Sequence, residues 1–238
     1  MRICFLGTSH GVPEPGRQCS CAMLEISGRI YFIDMGMMAI AALMDKGISV
    51  DAVQGVFITH MHGDHTNGLP GFVDLLTWHF KSADPTIFLP KEEAVAAITG
   101  WVSVNGAGKR DLHYVTVQPG ILWDDGFIKV TAIATRHCDR SYAFLVEAEG
   151  KQLLFTGDLR NPMVDFPEIA KQIPLDLLVC EASHFSPAQY VPVLQECTIK
   201  TVCVTHYTPD YAGAISQLDT DLANTTVCMA YDGMELVL

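Results

Sequence analysis

Residues 59–65 read Thr-His-Met-His-Gly-Asp-His, which puts His60, His62, Asp64 and His65 within six positions. Imidazole nitrogen and carboxylate oxygen are donors that divalent zinc, manganese and iron accept. A closed structural zinc site would instead call for thiolates, and no cysteine lies in this cluster. On an extended stretch the His-x-His pair can converge on one ion. The Asp-His pair two residues later can turn toward a second, with Gly63 permitting the sharp bend. Three further candidate ligands, His137, Asp158 and His206, lie far along the chain. Seven such side chains suffice for two metal ions.

Something must bring them together, and the apolar pattern says what. Short apolar runs recur between glycine and proline punctuation: RICFLG, CAMLEIS, RIYFID, GVFITH, TIFLP, HYVTV, FIKVTAIAT, SYAFLVEAEG, KQLLFTGD, LDLLVCEA, TVCVTH, TVCMAYDG and MELVL. They read as strands, with hairpins turning at Ser27-Gly28 and Glu149-Gly150. Helices are expected over residues 35–46, 69–80, 91–101, 162–172, 187–197 and 209–218, with Pro187 and Pro209 in first-turn positions. In the first of these, Met35, Met37, Met38 and Met44 with Ile40 and Leu43 read as one packed face. Strand-rich blocks flanking helices in both halves predict two sheets packed face to face with helices outside, in one domain over residues 1–238. His60 ends GVFIT, His137 follows VTAIATR, Asp158 ends LLFTG and His206 ends VCVT, so each candidate ligand sits just past a strand. Strand ends on one rim converge in space and hold side chains more accurately than free loops do.

Composition narrows the classes. The 238 residues, 49% of them hydrophobic, can bury a sizeable core. No run of eighteen apolar residues is present, and MRICFLGTSHG reads as a strand and a turn rather than a signal segment, so a cytoplasmic protein without a membrane role is expected. The eight cysteines are scattered without the spacing of a secreted disulfide scaffold, which fits free thiols in a reducing compartment, and Cys19-x-Cys21 has no second pair to complete a zinc site. A net charge of −12 repels a long polyanion, so a broad nucleic-acid face is disfavoured. Two cations on that acidic body still make one electropositive spot, which suits a small anionic ester.

The pattern of these residues resembles the metallo-β-lactamase superfamily, whose hallmark is His-x-His-x-Asp-His, then a distant His, a bridging Asp and a last His. The resemblance runs from FLGTSHGVPEPGR through FIDMG, THMHGDH, TRHCDRSYAF, FTGDLR and EASHF to THYTPDY, and is nearest to the RNase Z-like phosphodiesterases. It implies an α/β protein, a four-layer αββα sandwich of two mixed sheets flanked by helices. It also implies that His60, His62 and His137 bind one metal and Asp64, His65 and His206 the other, with Asp158 bridging and Asp34 in support. Zinc comes first, with manganese or iron acceptable to the same donors. Flavin-linked di-iron oxidoreductases of this fold usually carry Glu at the place of His62, and class-B β-lactamases often carry Cys at that of Asp158, so the resemblance leaves hydrolysis. A homodimer is consistent with it.

Two departures separate this chain from the tRNA-maturing endonuclease of that branch. Its His-Glu-Ala-Thr motif stands here as Cys180-Glu181-Ala182-Ser183, and residues 66–136 are few for a tRNA-gripping arm. The implied activity is hydrolysis of a small or nucleotide-derived phosphodiester by a hydroxide shared between two ions about 3.5–4 Å apart, which lower the pKa of water from 15.7 to about 7. The alternatives are tRNA 3′ processing, hydrolysis of a lactone, thioester or sulfate ester, and a non-catalytic binding module, which would be expected to lose ligands. Asp64, Asp158 and His184 are the candidate catalytic groups, with His184 as the acid for the leaving group or else a surface histidine. Arg136, Arg140 and Arg160 stand beside candidate ligands and can pair with a phosphate oxygen or remain solvated charge; Arg160 is preferred. The loop from Gly7 to Gly16 offers backbone amides and His10 to an anion. His79 and His113 have no such context.

Overall fold

The computed structural model describes residues 1–106, 110–222 and 224–238. The first sheet takes β1 (Arg2–Gly7), β2 (Cys21–Ile26), β3 (Arg29–Ile33), β4 (Val53–Phe57), β5 (Thr86–Leu89) and β6 (His113–Thr116). The second takes β7 (Gly120–Asp124), β8 (Lys129–Ala134), β9 (Tyr142–Ala148), β10 (Lys151–Phe155), β11 (Leu175–Ala182), β12 (Ile199–Tyr207) and β13 (Thr226–Met229). The last strand, β14 (Glu235–Val237), returns to the first sheet beside β1. Each sheet starts as antiparallel hairpins and continues parallel, through β3-β4-β5-β6 in one and β10-β11-β12-β13 in the other. The two halves thus share a topology that residue identity conceals.

Alternation along the strands explains the layers. Ile3, Phe5, Leu24, Tyr31, Phe57, Phe88, Phe144, Phe155 and Val179 pack between the sheets. Phe57 stacks on Phe88 at 4.5 Å between centroids and meets Phe144 of the other sheet edge-on at 5.9 Å. Each such fully buried ring contributes about 1.5–3 kcal/mol. The opposite face of the first sheet is covered by α1 (Ala39–Asp45), α3 (Leu69–Trp78) and α4 (Glu92–Val104), which bury Ile40, Leu43, Phe72, Leu76 and Ile98; the short α2 (Gly63–Thr66) lies in the motif itself, between α1 and α3. The outer face of the second carries α5 (Pro162–Asp165), α6 (Val191–Leu194) and α7 (Ala212–Asp221) with Tyr190, Val193, Ile215 and Leu218. This is the expected αββα sandwich.

Several local expectations needed correction. Strand β7 was not expected: it is a sheet edge whose Ile121 is 70% exposed, so its alternation is weak. The helix expected over 35–46 starts only at Ala39, because the amides of Met35 and Gly36 are spent on the carbonyls of His65 and Ser20; Met38 and Met44 are exposed. The one over 162–172 breaks at Phe166, which Pro167 forces into extended backbone (φ −60°, ψ 133°). Pro187 and Pro209 each open a 3-10 turn before the α-helix forms. The hairpin turns are as expected: Ser27 and Gly28, and Glu149 and Gly150, all have positive φ, the signature of a type I′ turn.

At this same end of the sandwich the sheets are tied by Tyr31, whose hydroxyl donates to Asp125 Oδ2 at 2.5 Å while the amides of Phe127 and Ile128 donate to Oδ1, both at 2.9 Å. Burial alone would raise the Asp125 carboxyl, but the hydrogen bonds from Tyr31, Ile128 and Phe127 hold it below its usual range. A carboxylate depressed in the folded state stabilises above its unfolded pKa of about 3.9 and loses that contribution as pH falls. Thermal melts of wild type and Asp125→Asn between pH 7 and 3 should therefore converge on acidification. Parallel curves would show that the Tyr31–Asp125 contact adds nothing to stability.

Candidate metal centre

The turn after β4 carries His60 into the sandwich rim. Its neighbour Thr59 is fixed by Asp34, which follows β3 in left-handed backbone (φ 59°) and accepts from Thr59 N at 2.7 Å and Thr59 Oγ1 at 2.9 and 3.0 Å. Asp34 Oδ2 also lies 2.7 Å from His65 Nδ1, which turns His65 Nε2 inward. The single turn of α2 folds Asp64 and His65 back over His62, with the His65 amide donating to the His62 carbonyl at 3.1 Å. Gly36 makes room for this: a Cβ there would stand 1.9 Å from the Asp64 carbonyl oxygen. His206 is the penultimate residue of β12, within the strand rather than just past it, and bends it at φ 44° beside the register shift at Glu181 and Ala182 of β11.

The seven expected side chains come together as two sets of donors. In one, His62 Nδ1 is 3.0 Å from His60 Nε2 and 3.1 Å from His137 Nε2, and both of those nitrogens are 3.6 Å from Asp158 Oδ2. In the other, Asp64 Oδ2 is 3.0 Å from His206 Nε2 and 3.3 Å from His65 Nε2, while Asp158 Oδ1 is 3.6 and 3.4 Å from the same nitrogens. Donors around a tetrahedral ion with bonds of about 2.0–2.1 Å stand about 3.3–3.4 Å apart, so both sets fit a divalent cation. His65 Nε2 and Asp158 Oδ1 are buried without any hydrogen-bond partner, an expensive arrangement that a cation between them would relieve.

Charge within the cluster is arranged accordingly. Burial would raise Asp158 and Asp64, yet the histidines around them, His206 foremost, hold both well below the usual carboxylate range. Burial, then His65, pushes His60 down to about 2, and burial lowers His137, so both are neutral imidazoles ready to act as donors. His65 is raised by Asp158 and Asp34 against the effect of burial.

A third group adjoins the centre. Glu181, 1% exposed at the end of β11, accepts from Leu159 N at 2.8 Å, from the amides of Ser183 and His184, and from His184 Nδ1 at 2.9 Å. One carboxylate thereby fixes both the residue after Asp158 and the ring of His184, whose centroid lies 4.5 Å from that of His137. The hydrogen bond that His184 donates to Glu181 raises the His184 pKa, with burial opposing. Cys180 is buried on the outer face with Tyr190 and Val204, and the histidine beside the centre is His184 instead. No role for Glu181 was read from the sequence, although its place at a strand end two residues before Ser183 is the same signal that marked the others.

The remaining candidates are more peripheral. Arg136, Arg140 and Arg160 are exposed, and those of 136 and 160 have their backbone amides engaged. His10 Nε2 pairs with Glu14 Oε1 at 3.1 Å in a loop whose Ser9 bridges to Tyr207. Several amides of that loop are used internally, Ser9 to the Gln18 carbonyl and Glu14 to that of Arg17. His79 and His113 are exposed. All eight cysteines are free, and among the described residues no helix is long and apolar enough to cross a membrane.

Comparison with known proteins agrees with this geometry. The family described as anti-Pycsar protein Apyc1 matches residues 1–217. Ribonuclease Z of Listeria innocua is 31% identical over 160 residues, covering 64% of this chain and 51% of the relative, so the chain spans about half the length of the curated relatives it matches. Among solved structures, the metallo-β-lactamase fold protein YhfI from Bacillus subtilis superposes with a TM-score of 0.79 at 16% identity, covering 99% of this chain and 98% of that one. The short form of human tRNase Z superposes with a TM-score of 0.76 at 22% identity, covering 100% and 99%.

Proposed function

The chain belongs to the anti-Pycsar protein Apyc1 family, with the metallo-β-lactamase fold of the RNase Z-like and phosphodiesterase branch, and from that premise we propose that it is a binuclear metal-dependent hydrolase of a small anionic phosphodiester. The observation that carries this reading is the double donor set in which Asp158 Oδ2 faces His60 and His137, which converge with His62, and Oδ1 faces His65 and His206, which converge with Asp64. Zinc is the first expectation for the pair of ions. When bound, divalent cations supply Lewis acidity toward a phosphoryl oxygen and a water acidified to near neutrality.

The chain's own residues do the rest. Asp158 holds the two sets at a fixed spacing, and Asp34 keeps His65 turned into the site. Asp64 stays ionised and offers its negative charge at the rim. His184, gripped at Nδ1 by Glu181, has Nε2 left to hand a proton to the departing oxygen of the ester. Arg160 and His10 are candidates for contact with the anion. The acidic body, net −12, favours a small ester over a long duplex, and eight free thiols suit a reducing cytoplasm.

Likeness to Ribonuclease Z favours a second reading, tRNA 3′ processing, which incubation with precursor tRNA tests. Against it stands the span between His65 and His137, which α3, β5, α4, β6, β7 and β8 take up for their packing. Metal-replete protein should hydrolyse bis(nitrophenyl) phosphate faster than simple lactones, thioesters or sulfate esters. Turnover of one of those without diesterase activity would replace the phosphodiester assignment.

A further inference from the structure

Asp165 closes α5, and its carboxylate accepts three backbone amides from two separate loops. Oδ2 receives Arg136 N at 2.7 Å and Arg160 N at 3.0 Å, while Oδ1 receives Asn161 N at 3.1 Å. Two nitrogens that share one oxygen at those distances are at most 5.7 Å apart. Arg136 immediately precedes His137, and Arg160 follows Asp158 by two residues. The one carboxylate therefore staples the loop of a histidine donor to the loop of the shared aspartate. Asn161 prepares it, since its side chain accepts from Met163 N at 2.9 Å and starts the turn that returns Asp165 to the same loop.

We infer that Asp165 is a positioning residue that sets the distance of His137 from Asp158 and so the affinity of the set formed with His60 and His62. This rests on reading that set as a metal site. The effect is selective, because Asp158 is held from its other side by Glu181 through Leu159 N at 2.8 Å, whereas the Arg136 amide has Asp165 as its partner. Asn at this position keeps one acceptor oxygen and turns an NH2 toward an amide donor, so it restores the staple only in part.

Metal-free wild type, Asp165→Ala and Asp165→Asn are reloaded with zinc and dialysed against graded chelator, with bound metal counted and the melting temperature of each metal-free form recorded. Loss of an outer hydrogen-bonding partner of a ligand typically weakens affinity by about 10–100-fold. The expected result is that Asp165→Ala releases its first ion at a chelator concentration lower by about that factor, Asp165→Asn falls between it and wild type, and the second ion is retained as in wild type. Release curves that superimpose on wild type overturn the inference, as does equal weakening of both ions, or a lowered melting temperature with unchanged metal release. A wild type that takes up fewer than two ions overturns the metal-centre reading itself and this inference with it.

Discussion

Asp158→Ala is expected to abolish hydrolysis, by at least about a thousandfold in kcat/KM, and to leave the protein unable to retain two ions. The size follows from position. Asp158 is 3% exposed and is the one side chain whose two oxygens reach into both donor sets, at 3.6 Å from His60 and His137 and at 3.4 and 3.6 Å from His65 and His206. Removing it takes away the carboxylate shared by both sets and the negative charge that offsets the imidazoles around it. Asp158→Asn separates charge from shape: it keeps the volume and one acceptor oxygen but presents an NH2 to one set, so one ion should be retained and turnover still lost. Metal counting beside diester hydrolysis checks both statements. Full two-ion occupancy in Asp158→Asn with near wild-type rate would remove the aspartate from the centre.

Much of this centre was legible in the sequence because strand periodicity and motif spacing carry geometric information directly. A histidine or aspartate placed two or three residues beyond an apolar run emerges at a sheet rim, and the ends of strands that run the same way share that rim. The turn pairs Ser27-Gly28 and Glu149-Gly150 declared their hairpins for an equally local reason, the cost of positive φ to other residues. What stayed hidden depends on contacts between distant segments. Asp165 looks like an ordinary helix-end carboxylate until the fold brings Arg136 within reach of it, 29 residues away in sequence. Glu181 sits in a strand with apolar neighbours, and its burial makes sense only once Leu159 and His184 are seen to converge on it. Strand β7 escaped because an edge strand has one partner and little burial to impose a pattern.

His184→Ala should produce the second large effect, and the choice of substrate makes it diagnostic. A general acid is worth about 10²–10⁴-fold when the departing alkoxide must be protonated, and much less when the leaving group is an already stable nitrophenolate. The loss should therefore be large for an alkyl diester and small for bis(nitrophenyl) phosphate, while KM changes little. The acid must be protonated to work, so activity falls as pH rises through its pKa. Glu181 raises that pKa by accepting from Nδ1. Glu181→Gln weakens the acceptor and should move the limb to lower pH while His184 is still present, and in the double variant with His184→Ala the limb should vanish. Because Glu181 also holds Leu159 N, metal counting on Glu181→Gln is needed to separate a shifted proton donor from a displaced Asp158. Equal losses for alkyl and nitrophenyl esters, or an alkaline limb unmoved in both variants, would show that His184 does not deliver the proton and that the acid is solvent or another group at the rim.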